Sequence, residues 1–503
     1  MKKKSMLLVL VVLVGLLGLQ QWLQSIVENL ARETVASVSL SPDGKPAKGS
    51  VEVVDFSPLS RTLLMQGIRI EEENADMHAS VESVTMRLSM RFMLAMTPLR
   101  SLVLSEQSEA MLLVAEDVRA EGLEWKIPQQ TCAIKTHETK HFCATQSLVQ
   151  HMLAGKGVDA LDIIYESGAE SIRITDMRIK TRDNATELDT QVQGSALEGW
   201  EGSHIRSLSL DAMSARTGGI EDFTLRSMTY ADIHLPKKEL VRQLWQALLK
   251  HGQDSDALVT ACRPLLEKMM AAGPLVEKIR LGALRMKVEG QDVRLGEAGF
   301  DHSGGEKGRI AGFFQGLELP RGLFKDTGLL LPDLKLDFRG SLEHPKADEE
   351  KHSYTLSAAG LADVSCALTL HGNASLLDEQ ALLLRSVSDV RLDVLDKGAL
   401  AWIGRNMGGE ARAVSQRLEH FLNDLALNDL GWRDSPQNRK MLEDLRTFVR
   451  TPGRLELRSQ PGERIGLLRL SELAGNPGAL LTLRVTPGSV PLDRAILSLP
   501  GAE

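Results

Sequence analysis

Two cysteines and two histidines in one short polar segment are the residues whose types best match a chemical function. Cys132, His137, His141 and Cys143 are the ligand types of a tetrahedral zinc site. The 11-residue spacing between the two cysteines also suits a local disulfide, closed by a hairpin or by a return from loop to helix. We predict the Cys132–Cys143 disulfide, because the arguments below place the chain in an oxidising compartment. The zinc site is the alternative.

The remaining cysteines lie in regular patterns of apolar residues. Cys262 falls on the apolar face of a helical pattern, and Cys366 falls in a strand pattern. Cysteines in such positions behave as small buried hydrophobic residues. We therefore expect both thiols to be free, with a second disulfide as the alternative.

Motifs of known catalytic chemistry are missing from the sequence. It contains no Gly-x-Ser-x-Gly nucleophile turn, no His-Glu-x-x-His pair and no glycine-rich loop ending in Gly-Lys-Ser or Gly-Lys-Thr. We therefore predict that the protein is not an enzyme, and we assign no catalytic residue, no metal ligand and no cofactor. An enzyme whose catalytic residues come together only in space is the alternative.

Two similar nine-residue segments carry the candidate ligand-binding residues. The segments Ile172–Lys180 and Ile279–Lys287 alternate apolar and polar residues, as strands with one buried face do. In both, the apolar positions change parity midway, so each strand must bulge or bend there. The residues that we predict to line an apolar ligand site are Ile172, Ile174, Ile279 and Leu281. Ordinary core packing is the alternative role for each of them.

The elements that must position these residues are mainly strands. Period-two alternation recurs from Ser50 to the end of the chain, whereas a 3.6-residue period marks a helical hairpin and a later helical stretch. We predict an α+β, β-rich fold: an N-terminal transmembrane helix, then an elongated, twisted, mainly antiparallel sheet body with helical inserts. The predicted regions are an anchor (1–30), a β-rich region (31–235), a helical hairpin (236–275), a second β-rich region (276–396), a helical segment (397–450) and C-terminal strands (451–503).

The N-terminus has the composition of a membrane anchor. Three lysines precede an unbroken apolar run, Met6–Leu19, and no pair of small residues follows it where a signal peptide would be cleaved. Lysines before the span hold the N-terminus in the cytoplasm. We therefore predict a single-pass protein of the bacterial inner membrane with its bulk in the periplasm. A cleaved signal peptide and a buried core helix are the alternatives.

Charge argues against nucleic acid as a partner. The chain has 59 Lys and Arg against 67 Asp and Glu, a formal net charge of −8. Proteins that bind nucleic acid without sequence preference neutralise phosphates with an excess of basic residues. We therefore expect no nucleic-acid partner.

The N-terminal part of the chain resembles AsmA-like envelope proteins and their uncharacterised single-pass relatives. The resemblance covers residues 1–125 and rests on the basic start, the apolar span, Ser50–Arg61 and the alternating segment Leu63–Ile70. It implies a periplasmic body of long twisted sheets with a groove lined by apolar side chains. It also implies a role in lipid traffic or outer-membrane homeostasis.

These observations lead to one expected function and one alternative. We expect a non-enzymatic envelope protein that binds or shuttles lipid-like apolar ligands, with membrane lipid as its partner. The alternative is an envelope scaffold that docks a protein partner through its helical segment, Gly398–Val449. A continuous apolar sheet face favours lipid binding, and an exposed apolar helix surface favours the scaffold.

Overall fold

The computed structural model shows a β-rich α+β protein with two compact units, Met1–Glu277 (unit 1) and Lys278–Glu503 (unit 2). It describes residues 20–36, 47–72, 78–97, 100, 103–104, 109–127, 130–154, 160–183, 186–216, 223–251, 255–271, 275–303, 308–327, 331–346, 348–372, 385–408, 410–460, 462–466 and 475–499. The predicted apolar span, Met6–Leu19, lies outside these residues. Among the helices that are described, none combines the length and the apolar character needed to cross a bilayer.

Unit 1 is built on an antiparallel sheet. Its strands are β1 (Ala47–Ser50), β2 (Val53–Ser57), β3 (Thr62–Glu72), β4 (His78–Leu88), β5 (Met111–Ile127), β6 (Gln130–Thr145), β7 (Ser167–Asp183), β8 (Thr186–Glu201), β9 (His204–Arg216) and β10 (Phe223–His234). Strands β3 to β10 pair in sequence order, and β1 and β2 both pair with β3. The strands are joined mainly by short connections, so each strand lies beside its neighbour in sequence.

Helices cover one end of this sheet. They are α1 (residues 20–36), α2 (Met90–Ala95), α3 (Gln146–Leu153) and α4 (Ala160–Glu166). Hydroxyl groups start two of them: Ser89 Oγ accepts from Phe92 N and Thr145 Oγ1 accepts from Leu148 N, each at 3.1 Å. The buried core of this end includes Val27, Phe56, Leu63, Leu88, Phe92, Leu112, Val114, Leu148 and Val149.

The predicted helical hairpin is present at the end of unit 1. Helices α5 (Lys238–His251) and α6 (Ser255–Ala271) pack on each other. Lys238 at the start of α5 forms ion pairs with Asp162 (2.5 Å) and Glu166 (3.0 Å) of α4. Burial would lower the pKa of the Lys238 ammonium, but its bonds to these two carboxylates outweigh burial and raise it.

Unit 2 is also built on antiparallel pairs. Its strands are β11 (Val276–Leu281), β12 (Leu284–Val288), β13 (Gln291–Leu295), β14 (Glu297–Ser303), β15 (Arg309–Leu319), β16 (Leu334–Lys346), β17 (Glu349–Ala358), β18 (Ala362–His371), β19 (Ser386–Asp396), β20 (Arg454–Ser459), β21 (Ile465–Gly466) and β22 (Leu481–Thr486). Strand β11 pairs with β14, and β14 to β20 pair in order, followed by β22. Strand β12 pairs with β13, which also reaches β15.

The predicted helical segment lies between β19 and β20. It contains α7 (Ala399–Asn406), α8 (Ala411–Asp424), a π-helical turn (Leu425–Asp429) and α9 (Pro436–Arg450), and short helices α10 (Pro477–Leu480) and α11 (Leu492–Leu497) follow later. A 3-10 helix, Arg321–Thr327, follows β15. Ser435 caps α9 by accepting from Asn438 N at 3.1 Å. Helix α9 packs on the last strands, where Met441, Leu455 and Leu483 are buried together.

The helices of unit 1 differ from the expected elements at two places. Helix α1 runs from residue 20 to residue 36, across the expected region boundary at residue 30, and Val27 and Ala31 are buried in the core. Helix α4 has no counterpart among the predicted elements, since its seven residues are too few to show a helical period.

Candidate functional site

The predicted lining residues Ile172 and Ile174 lie in continuous apolar rows across unit 1. Cross-strand partners share a face of a sheet, so each row is read from the pairing register. The Ile172 row is Leu63, Met86, Val118, Thr139, Ile172, Leu197, Leu208 and Tyr230. The Ile174 row is Met65, Val84, Ala120, His137, Ile174, Ser195, Leu210 and Met228.

On β7 the apolar side chains stand at even-numbered residues up to Ile174 and at odd-numbered residues beyond it, as the sequence predicted. At this line Gly67, Gly122, Asp176 and Ala212, on alternate strands, adopt left-handed backbone conformations with φ of 64°, 61°, 51° and 48°. The pairing register resumes unchanged beyond them, so every strand shifts its alternation at the same place. The apolar face therefore continues without interruption from one side of the line to the other.

Two more rows complete this face. The first is Ile68, Val81, Leu123, Ile134, Met177, Val192, Met213 and Leu225. The second is Ile70, Ala79, Trp125, Cys132, Ile179, Thr190, Ala215 and Phe223. We call these four rows the unit 1 apolar face. At a spacing of about 4.8 Å between strands, the face extends roughly 34 Å from β3 to β10.

The unit 1 apolar face is only partly removed from solvent. Every residue of the Ile174 row is half-buried, and Ile172 is half-buried as well. A side chain in a closed core is normally buried almost completely. Helices α1 to α4 pack near one end of this sheet, where α2, α3 and α4 contact β5, β6 and β7. Ile172 and Ile174 therefore lie on a face that keeps partial contact with solvent.

One histidine belongs to this face. His137 pairs with Ile174 and with Ala120, and its Nε2 lies 2.7 Å from Thr139 Oγ1. Burial lowers the pKa of the His137 imidazole, which therefore favours the neutral ring. A neutral ring that is hydrogen-bonded to its neighbour keeps the face compatible with an apolar ligand.

The other two predicted lining residues, Ile279 and Leu281, lie on β11 in unit 2. Their rows form the unit 2 apolar face. The Ile279 row is Ile279, Phe300, Gly312, Gly340, Tyr354, Cys366, Leu392, Leu457 and Leu483. The Leu281 row is Leu281, Ala298, Phe314, Phe338, Leu356, Val364, Val394, Leu455 and Val485.

The unit 2 apolar face is covered at one side and exposed at the other. Helix α9 covers the residues on β20 and β22, including buried Leu455. On β17, by contrast, Tyr354 is 37% and Leu356 is 39% exposed. Stacked rings form a strip beside them: Phe338 lies 5.5 Å from Phe314 and 6.4 Å from Tyr354 between ring centroids.

The predicted Cys132–Cys143 disulfide is wrong. Both residues are free thiols on the single strand β6. An extended strand rises about 3.3 Å per residue, so they lie roughly 36 Å apart, far beyond the ~7 Å limit between the Cα atoms of a disulfide. The same geometry separates the four proposed zinc ligands. Among the described residues, no three His, Cys, Asp or Glu side chains are grouped to hold a metal ion.

The other two cysteines are free, as expected. Cys262 on α6 is 8% exposed, and Cys366 on β18 is half-buried within the Ile279 row. Burial also raises the pKa of the Cys132 thiol, and burial together with the charge of Glu201 raises that of Cys143. The thiols of Cys132 and Cys143 are therefore protonated at neutral pH.

A polar cluster that the sequence did not reveal lies at one end of the unit 2 apolar face. Arg385, only 1% exposed, forms a 2.8 Å ion pair through Nη2 with Glu350 Oε2. His352 Nε2 lies 3.4 Å from Glu350 Oε2, and His344 Nε2 lies 3.6 Å from Oε1. Burial would raise the pKa of the Glu350 carboxyl, but Arg385 and the histidines outweigh burial and lower it. Glu350 is therefore ionised at neutral pH.

Sequence reasoning missed this cluster because its members come from separate strands. Glu350 and His352 lie on β17, whereas Arg385 immediately precedes β19. The one available signal was the alternation of Glu350, His352 and Tyr354, which places their side chains on one face of a strand. No known protein family and no curated protein matches the chain.

Proposed function

We propose that this is a membrane-anchored periplasmic protein of the bacterial envelope that binds or shuttles lipid-like apolar ligands without catalysing a reaction. The observation that carries the proposal is the half-buried Ile174 row at the centre of the unit 1 apolar face. The apolar span Met6–Leu19 and the resemblance to AsmA-like proteins support the proposed location. Membrane lipid is the proposed partner.

The physical argument rests on the cost of leaving apolar side chains in water. Contiguous exposed apolar surface is rare in soluble monomers and marks a surface that binds something. A hydrocarbon chain laid along the face loses its contact with water, which contributes about 0.8 kcal/mol for each buried methylene. The face offers few hydrogen-bonding side chains, so it suits acyl chains better than polar polymers.

The scaffold alternative also has an observation in its favour. The helices of unit 2 carry large apolar side chains that are exposed: Ile403, Met407, Phe421, Leu427, Leu430 and Leu497. Such side chains are typical of a surface that docks a protein partner. Lipid binding remains the first proposal, because these residues are spread over several helices whereas the unit 1 apolar face is continuous across neighbouring strands.

The direct test is lipid uptake by the full chain. We expect native mass spectrometry of the purified protein to detect bound phospholipid or fatty acid, and we expect uptake of labelled lipid from vesicles. The test uses the full chain, because a fragment that begins at Ala31 would lack Val27, which is 2% exposed and part of the core. A protein that is free of lipid and takes none up would contradict the proposal and favour the scaffold.

A substitution separates an open face from a closed core. Because Ile174 is half-buried, Ile174→Asp should reduce lipid uptake while lowering the melting temperature by less than about 5 °C. The matched control is Leu148→Asp, which buries an unpaired charge at a position 2% exposed and should lower the melting temperature by more than about 15 °C. Equal destabilisation by both variants would assign Ile174 to an ordinary core.

A further inference from the structure

Arg385 is a buried arginine with few hydrogen-bond acceptors among the residues that the structure describes. Its side chain is 1% exposed, and its Nε, Nη1 and Nη2 atoms make no well-oriented hydrogen bond to any described residue, although Nη2 lies 2.8 Å from Glu350 Oε2. Burying polar donors without acceptors costs about 1–3 kcal/mol for a neutral group and more for a charged one. One carboxylate therefore leaves this guanidinium short of acceptors.

The surroundings of Arg385 contain further polar side chains. Beside Glu350 stand His352 and His344, and His352 Nδ1 lies 2.9 Å from the hydroxyl of Tyr354. Tyr354, which is 37% exposed, and His344, whose side chain is 28% exposed, form the solvent-facing side of the cluster.

The same strand connects this cluster to the apolar strip. Residues two apart on a strand share a face, so Glu350, His352, Tyr354 and Leu356 point to one side of β17. Tyr354 and Leu356 belong to the unit 2 apolar face, beside the stacked ring of Phe338. The surface therefore changes from charged to apolar within a few residues along one strand.

We propose that Arg385 binds the oxyanion head group, a carboxylate or a phosphate, of an amphiphile whose chain lies on Tyr354, Leu356 and Phe338. The guanidinium fork matches either oxyanion, and both are recognised through charge-assisted hydrogen bonds. This proposal rests on the proposed function, because it names the class of lipid that the unit 2 apolar face accepts.

The experiment compares three probes on the full chain: oleoyl lysophosphatidic acid, monooleoylglycerol and inorganic phosphate. We expect the wild-type protein to bind the lysophosphatidic acid more tightly than the uncharged monooleoylglycerol. Arg385→Met should weaken lysophosphatidic acid binding at least about tenfold and leave monooleoylglycerol binding unchanged, because only the charged contact is lost. Arg412→Met, at an exposed position on α8, is the matched control and should change neither affinity.

Two further variants keep the test informative if Arg385→Met folds poorly. Arg385→Lys retains the charge but loses the fork, so it should also weaken binding of the lysophosphatidic acid. Glu350→Gln removes the competing carboxylate and should strengthen it. If Arg385 only pairs with Glu350, Glu350→Gln will lower stability and leave the affinity for the lysophosphatidic acid unchanged, which overturns the proposal.

The remaining outcomes separate this proposal from the proposed function. Equal wild-type affinity for the charged and uncharged lipids would overturn the role of Arg385 while leaving lipid binding intact. Binding of inorganic phosphate as tight as that of the lysophosphatidic acid would indicate a free-anion site and overturn the amphiphile. Failure of both lipids to bind would contradict the proposed function itself.

Discussion

Glu116 shows how single charged residues hold the covered end of unit 1 together. Its carboxylate accepts two hydrogen bonds from Arg61, at 2.7 and 3.2 Å, and an ion pair from Arg87 at 3.0 Å. Arg61 Nη1, which donates to Glu116, also donates to Leu88 O at 3.2 Å. A bidentate pair of this kind orients both side chains, so strands β3, β4 and β5 are linked at this end.

The pH dependence of stability should report this contact. The hydrogen bond from Arg61, aided by the charges of Arg61 and Arg87, lowers the pKa of Glu116 from its ordinary value of 4.5. A lowered acid pKa stabilises the fold fully above the ordinary value, and the contribution is lost as the pH falls through the lowered pKa. As the pH drops from about 5 to about 2, the free energy of unfolding of Glu116→Gln should therefore decrease less than that of the wild-type protein.

The measurement is urea unfolding of both proteins across this range. Glu124→Gln is the control, because Glu124 is exposed and forms no ion pair among the described residues. The control should follow the wild-type curve. If Glu116→Gln also follows it, the Arg61–Glu116 contact does not contribute to stability.

At the scale of elements, the line of left-handed residues is the feature that keeps the unit 1 apolar face continuous. Each strand must shift its alternation at the same row, since a strand that failed to shift would turn its apolar side chains to the opposite face. Alternate strands therefore each need one residue that tolerates positive φ at this line. Glycine adopts such a conformation without steric cost, whereas other residues pay about 1–2 kcal/mol.

Gly122 provides a test of this requirement. It has φ of 61°, and an added Cβ would lie 2.3 Å from Cγ and Cδ of the Glu82 side chain, which would have to move. Gly122→Ala should therefore lower the free energy of unfolding by at least about 1–2 kcal/mol. The matched control is Gly194→Ala on β8, where the nearest atoms to an added Cβ belong to Asp211 at 3.8 and 3.9 Å. Gly194→Ala should leave stability unchanged or raise it slightly. Equal effects in denaturant unfolding would mean that the line carries no conformational strain.

Considered as a whole molecule, both units contain an antiparallel sheet with one apolar face, and they differ in which strands the helices cover. Each unit presents an apolar sheet face that belongs to many strands, and each has helices at one end. In unit 2, helix α9 closes the side at β20 and β22, which leaves the strands around β17 exposed. A face assembled from many strands can accept a long chain in contact with many residues, so single substitutions should reduce binding only partly.

The location of the whole chain is a separate prediction. Lys2, Lys3 and Lys4 before the apolar run Met6–Leu19, with no cleavage signal after it, predict an uncleaved anchor. The intact chain should therefore stay with membranes after an alkaline carbonate wash. Recovery of a soluble form that begins after about residue 25 would show a cleaved signal peptide instead.

The sequence by itself indicated a β-rich fold, the change in parity within β7 and the two helical segments. Each of these is a local pattern: Ile172, Ile174, Met177 and Ile179 carry the alternation and its shift within eight residues. Local periodicity is set by side-chain direction along one element, which requires no knowledge of its neighbours. For the same reason Ile172 and Ile174 could be assigned in advance to the apolar side of their strand.

Only the tertiary structure decided which residues meet. Spacing in sequence suggested that Cys132 and Cys143 could bond, but one extended strand keeps them apart. Conversely, Glu350 and Arg385 are 35 positions apart and form an ion pair, because β18 folds back between their strands. Distance in space depends on register and strand order, which arise from long-range pairing and are not encoded in any local pattern.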